Sequence, residues 1–243
     1  MKRVSVIGAG NIGAAVVAYL RDAPDWILAS VLVRKERQSP GVELTTDSRA
    51  FFAKDTDLII DAAGPDALRS HGEQALAHAD LWTVSATALA DPAFRQHLAE
   101  TARSAGYRLR VLPGAIGGLD AVSALARDPS LRLHIEATRP GPIDTPTNIF
   151  SGSATQTSGR YGNMLNVAAA AALAGPGLDA TSVTLRGDPN GRRHHLGVRA
   201  ESSYGRLSVD IDLPLDVGAS GHNPVSACII AALVRETQTI WVG

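Results

Sequence analysis

Val4-Ser5-Val6-Ile7-Gly8-Ala9-Gly10-Asn11-Ile12-Gly13 sets a short apolar run directly against a glycine turn, and Ala14-Ala15-Val16-Val17-Ala18-Tyr19-Leu20 follows as a helix. Strand, GxGxxG and helix in that order form the fingerprint of a dinucleotide-binding unit. Each glycine has a mechanical reason. Gly8 allows the tight turn, Gly10 lets the backbone approach a pyrophosphate, and Gly13 lets the helix pack closely on the strand. The pyrophosphate would sit on the free N–H groups of Asn11, Ile12 and Gly13, where the helix macrodipole favours negative charge.

The companion of this fingerprint is an acidic residue about 20 positions further on, which bonds the ribose of NAD. Here the second strand, Ile27-Leu28-Ala29-Ser30-Val31-Leu32-Val33, ends without Asp or Glu, and Arg34-Lys35 come next. A cation at that point suits a 2′-phosphate, so the expectation is NADP or NAD, with NADP favoured. Glu36 keeps NAD open.

Composition narrows the class. A net charge of −1 gives no electrostatic reason for nucleic acid or an anionic membrane as partner. The single cysteine, Cys228, rules out an internal disulfide framework and fits a reducing compartment. The first strand starts four residues in, leaving no room for a signal peptide, and no apolar run approaches the ~18 residues of a membrane helix. A cytoplasmic protein is expected. No Cys/His spacing suggests a metal, and no serine or cysteine has an evident base beside it. His71, His78, His97, His134 and His222 are scattered without pattern.

Strands and helices alternate to about residue 112. Leu58 to Gly64, Leu81 to Ser85 and Leu109 to Leu112 read as strands, and Ser48 to Phe52, Asp66 to His78 and Asp91 to Ser104 as helices. That order predicts a Rossmann-type, doubly wound parallel sheet with ligands beyond the carboxyl ends of its strands. Attention therefore falls on Ala62-Ala63-Gly64, Ser85-Ala86-Thr87 and Pro113-Gly114-Ala115-Ile116-Gly117-Gly118. Further on, Leu131 to Ala137, Ser182 to Arg186 and Leu207 to Leu213 alternate apolar and polar residues, the pattern of strands with one wet face. An alanine-rich helix, Met164 to Ala174, lies between them, and a last helix, Asn223 to Val234, is placed to return to the first domain. The predicted class is α/β, with an inserted α+β domain built on a mixed or antiparallel sheet. The division is residues 1–114 with 221–243 for the dinucleotide, and 115–220 for substrate and dimerisation.

The segments GAGNIG, SATALADP, LPGAIGGLDA, IFSGSATQT and NMLNVAAAAALAGPGLDAT, with Asp188-Pro189 and Asn223-Pro224, resemble the L-aspartate dehydrogenase family in order and spacing. The resemblance implies NAD(P)-dependent oxidative deamination of L-aspartate to iminoaspartate and the reverse amination of oxaloacetate, on a homodimer. Its partners would be an amino acid or keto acid and ammonia. It also implies nicotinamide contacts at Ala115 and Asn166, added to Ala63, Gly64, Ser85 and Ala86 at the strand ends. Such chemistry needs a near-attack geometry for hydride transfer and a proton shuttle near neutral pKa, which suits histidine.

The departures bear on the site. The family's catalytic His, counted without gaps from Asp188-Pro189, falls on Leu196. His194 shares strand parity with Leu196 and Val198, whereas His195 would need a one-residue shift, so His194 is the first candidate, His195 the second, and a non-catalytic pair the third. Lysines expected beside Thr138-Arg139-Pro140 and in Asn223-Pro224-Val225-Ser226-Ala227 are absent. Arg139, and also Arg160, remain as carboxylate clamps, since guanidinium matches a carboxylate bidentately; Asn166 would orient carboxamide or substrate. The losses leave two alternatives: a related oxidoreductase of another amino acid, imine or keto acid, or a cofactor-binding protein without turnover.

Overall fold

The glycine turn sits at the centre of a six-stranded sheet. The computed structural model describes residues 1–36, 41–140, 148–161, 165–189, 193–214 and 223–240, and the chain divides into two compact units, residues 1–112 with 223–242 and residues 113–222.

In the first unit the elements run β1 (Lys2–Ile7), α1 (Asn11–Asp22), β2 (Trp26–Leu32), β3 (Leu44–Thr45), α2 (Ser48–Phe52), β4 (Leu58–Asp61), α3 (Pro65–Leu76), β5 (Asp80–Thr83), α4 (Pro92–Ala105) and β6 (Leu109–Val111). The sheet order is β3-β2-β1-β4-β5-β6, with every pairing parallel. This is the doubly wound order, whose direction of winding reverses between β1 and β4. A parallel sheet with helices on its faces needs strands apolar on both sides; β4 is buried at all four positions. After the second unit the chain returns as α8 (Pro224–Thr237), capped by the Asn223 side chain accepting from the Val225 N–H at 2.9 Å. Ile229, Ala232 and Leu233 are wholly buried in one cluster with Val16, Val17 and Leu20 of α1.

The second unit contains α5 (Leu119–Leu125), β7 (Arg132–Pro140), β8 (Phe150–Ser153), α6 (Ala154–Tyr161), α7 (Asn166–Ala174), β9 (Thr181–Asp188), β10 (Arg193–Ser202) and β11 (Gly205–Pro214). Its sheet order is β11-β10-β7-β9-β8. Among the described residues only β7 and β9 pair in parallel, so the sheet is mixed. Alternation along β7 buries Leu133, Ile135 and Ala137, and the same face of β10 carries their partners Ala200, Val198 and Leu196. Helices α5 and α6 pack on that face and α7 packs on both of them, with Ala168 to Ala172 buried. Gly175, just after α7, sits over Leu133, where a Cβ would come within 2.9 Å of Leu133 Cδ2. Met164, the expected start of this helix, lies outside the described residues. β10 begins at Arg193, earlier than apolar alternation indicates, because β11 pairs with it from Arg193 onward, and β7 joins on the other edge from His195. Both histidines therefore lie within the strand.

Candidate active site

The dinucleotide turn is built by contacts that leave glycine no substitute at two of its three positions. Gly8 has φ +94°, and a Cβ there would stand 2.7 Å from Ala63 Cβ. A Cβ on Gly13 would stand 2.0 Å from the Gly8 carbonyl oxygen, so α1 rides directly on the turn. Gly10 differs: a Cβ built on it meets no protein atom within 4 Å. Packing does not demand a glycine there; the close approach of a phosphate would. Helix α1 has no side-chain cap and no acidic residue in its first turn, which leaves its N-terminal N–H groups for an anion. The residues present therefore fit a dinucleotide pyrophosphate. The Gly8 N–H donates to the Leu32 carbonyl at 2.8 Å, which fastens the turn to the end of β2. Arg34 and Lys35, just beyond that end, are exposed.

Of the strand-end residues, Ala63 is exposed and Gly64, with φ 102°, begins α3. Ser85 and Ala86 are 0% and 1% exposed, so neither offers a side chain outward. The Ser85 hydroxyl is committed to Asp61 Oδ2 at 2.6 Å. Asp61, which apolar patterning passes over, accepts also from Thr83 Oγ1 at 2.7 Å and from the Ala63 N–H at 3.0 Å. The signal for it was present: a lone carboxylate closing Leu58-Ile59-Ile60 on a strand buried on both faces must be bonded or functional.

In the second unit, the strand separates the two histidines. His194 shares the helix-covered face with Leu196 and Val198, and its register partner on β11 is Leu213. Arg139, partly buried, shares the parity of Leu133, Ile135 and Ala137 on β7. His195 pairs with Thr138, so Arg139 and His194 lie together at the same end of that face. Burial, and secondarily the Arg139 charge, lower the His194 pKa, because both disfavour the imidazolium. Burial likewise lowers that of Arg139. His195 points the other way. Its Nε2 lies 3.2 Å from Asp210 Oδ1 and its Nδ1 3.1 Å from Asp212 Oδ1, and Arg199 donates to the same Asp210 oxygen. A side chain held by carboxylates at both ring nitrogens has no nitrogen left for a substrate proton.

Ala115, 8% exposed, lies in the loop before α5. That loop is seated on β11, where a Cβ on Gly118 would come 3.0 Å from Val209 Cγ2. Asn166 is the first residue of α7 and half-buried. Arg160 is exposed on α6, its guanidinium over the rings of Phe150 and Tyr161 at 5.8 and 5.6 Å. The structure thus joins Arg139 to His194 and gives Arg160 an aromatic setting of its own.

Residues 8–112 match the family described as homoserine dehydrogenase, NAD binding domain, and residues 114–234 match aspartate dehydrogenase, C-terminal. L-aspartate dehydrogenase of Ruegeria pomeroyi is 34% identical over 98% of this chain and 94% of its own. This chain belongs to the aspartate dehydrogenase family. L-aspartate dehydrogenase 2 of Bordetella bronchiseptica is 32% identical over 99% of each chain. Aspartate dehydrogenase of Thermotoga maritima, at 23% identity, shares the fold with a TM-score of 0.85 over the whole of both chains. An engineered D-amino acid dehydrogenase bound to NADP+ has a TM-score of 0.54 over 98% of this chain and 91% of its own. Within the family, the first unit is a nicotinamide dinucleotide-binding domain.

Proposed function

We propose that this chain is an NAD(P)-dependent L-aspartate dehydrogenase, interconverting L-aspartate with iminoaspartate and oxaloacetate, with NADP(H) favoured. The juxtaposition of His194 and Arg139 carries the reading: a proton-transfer group with depressed pKa beside a cation shaped for carboxylate. The bound dinucleotide would supply a hydride acceptor at C4 of its nicotinamide. Gly8, Gly10, Asn11, Ile12 and Gly13 would bind its pyrophosphate, Arg34 and Lys35 a 2′-phosphate, and the turns at Ala63-Gly64 and Ser85-Ala86 would line it through their backbone. Arg139 would hold a substrate carboxylate. Ala115 and Asn166 would orient the carboxamide. His194, neutral over a wider pH range than a free imidazole, would take the proton from the substrate ammonium or from the hydrolysing water. His195 is second in line for this role, and its aspartate partners argue against it.

The same reading gives the second unit substrate binding and homodimer formation, and gives the protein a cytoplasmic setting. Among the described residues no helix is long and apolar enough to cross a membrane. One observation favours a different amino or keto acid: at the position of a family lysine, Val225 packs against the apolar cluster of the first unit. NADPH and NADH oxidation with oxaloacetate plus ammonia, run beside other keto acids, tests both readings. His194→Ala is expected to lower kcat by about 10²–10⁴-fold, the usual contribution of a general base, and His195→Ala to leave it largely intact. Loss confined to the His195 variant would reverse the assignment. Turnover of another keto acid but not of oxaloacetate would overturn the substrate, and cofactor binding without any turnover would overturn the enzyme.

A further inference from the structure

Asp61 takes no part in the hydride or proton chemistry, yet it is a carboxylate at 1% exposure. An apolar residue of similar size would fill that space at lower cost, since desolvating a carboxylate is expensive even when its oxygens are bonded. Burial pushes its carboxyl up from the ordinary value against the opposing pull of its hydrogen bonds. Its bonds join two strand-end turns. Oδ2 accepts from Thr83 Oγ1 and Ser85 Oγ, while Oδ1 accepts from the Ala63 N–H. Thr83 Oγ1 accepts in turn from the Ser85 N–H at 2.9 Å. Ala63 also borders the dinucleotide turn, its Cβ, Cα and N all within 3.0 Å of where a Gly8 Cβ would stand. The neighbouring Ala62 N–H donates to the Ile7 carbonyl at 2.9 Å. A relay of contacts therefore runs from Thr83 and Ser85 through Asp61 and Ala63 to Gly8, entirely within the first unit.

We propose that Asp61 is a positioning residue for the cofactor: its carboxylate fixes Ala63 and thereby holds the Gly8 turn in the shape that receives the pyrophosphate. The proposal rests on the dinucleotide reading of that turn. It is tested by fluorescence titration of NADPH and NADH, with melting temperatures, on the full chain and on Asp61→Ala, Asp61→Asn and the double variant Thr83→Val/Ser85→Ala. Asp61→Ala is expected to raise the cofactor Kd about tenfold or more, the scale of one lost charged hydrogen bond in the relay. Asp61→Asn keeps an acceptor for the Ala63 N–H and offers its NH2 to the two hydroxyl oxygens, so its Kd stays close to that of the unaltered chain. A purely structural role would lower the melting temperature and leave the Kd of the folded protein unchanged; that result overturns the proposal. If Asp61→Ala does not fold, the double variant decides, a raised Kd supporting the relay and an unchanged one overturning it. Failure of the unaltered chain to bind either cofactor would instead overturn the dinucleotide reading.

Discussion

Gly10 and Gly13 stand three residues apart in one motif, yet they answer to different neighbours. Gly13 is held by the protein itself, since a Cβ there collides with the Gly8 carbonyl. Alanine is ordinarily worth about 1 kcal/mol more than glycine inside a helix, but Gly13→Ala should lower both melting temperature and cofactor affinity. Gly10→Ala should leave melting unchanged and weaken the cofactor alone, as thermal melts run beside NADPH titration would show. Arg139 offers a second residue-level prediction. Its charge disfavours the His194 imidazolium, so Arg139→Met should raise the His194 pKa toward its ordinary value. The neutral base is then lost at a higher pH, and the acid limb of the kcat profile for deamination should move upward. At this scale the glycine turn was legible because its requirements are local to the backbone. A lone carboxylate at Asp61 could be read there too, but its partners Thr83 and Ser85 could not, because they belong to β5 and the turn after it.

At the scale of elements the two histidines part company, on opposite faces of β10. Parity with Leu196 and Val198 was readable from the chain, and it already set His194 apart from His195. What His195 meets on the other face was not readable, since Asp210 and Asp212 reach it only through the β10–β11 register. The two-residue β3, along with β8 and α6, escaped pattern reading because short segments carry too few residues to show a period. The turn joining β10 to β11 is tied down by Asp128, which accepts from the Ser203 N–H at 2.6 Å and from the Ser130 N–H at 2.8 Å. The Ser203 side chain first, and then these backbone N–H groups, hold its carboxyl well below the ordinary 3.8. A depressed carboxyl pKa contributes stability above the unfolded value and loses it as pH falls through the folded one. Asp128→Asn should therefore melt earlier at neutral pH, with the gap closing below about pH 3.8, as thermal melts across that range would record.

For the molecule as a whole, the dinucleotide unit is discontinuous: its last helix arrives only after the second unit is complete. Ile229 and Leu233 are wholly buried, and burying such side chains is worth about 1.5–3 kcal/mol each. Their loss would remove about 3–6 kcal/mol from a total stability of about 5–15 kcal/mol. A chain stopped after residue 222 should lack a cooperative melt and fail to bind NADPH, which calorimetry and titration would detect. The alternation of strands and helices made the first sheet legible because parallel sheets impose it, and the wet-and-dry alternation did the same for the second.

Adjacent histidines on one strand are two addresses rather than a duplicate. Because successive side chains leave a strand on opposite faces, a one-residue slip of β10 would carry His195 to the helix-covered face and turn His194 out toward the opposite side. The same slip would turn Leu196, Val198 and Ala200 away from their partners Ala137, Ile135 and Leu133, so the apolar face of β10 is what keeps each imidazole at its own address.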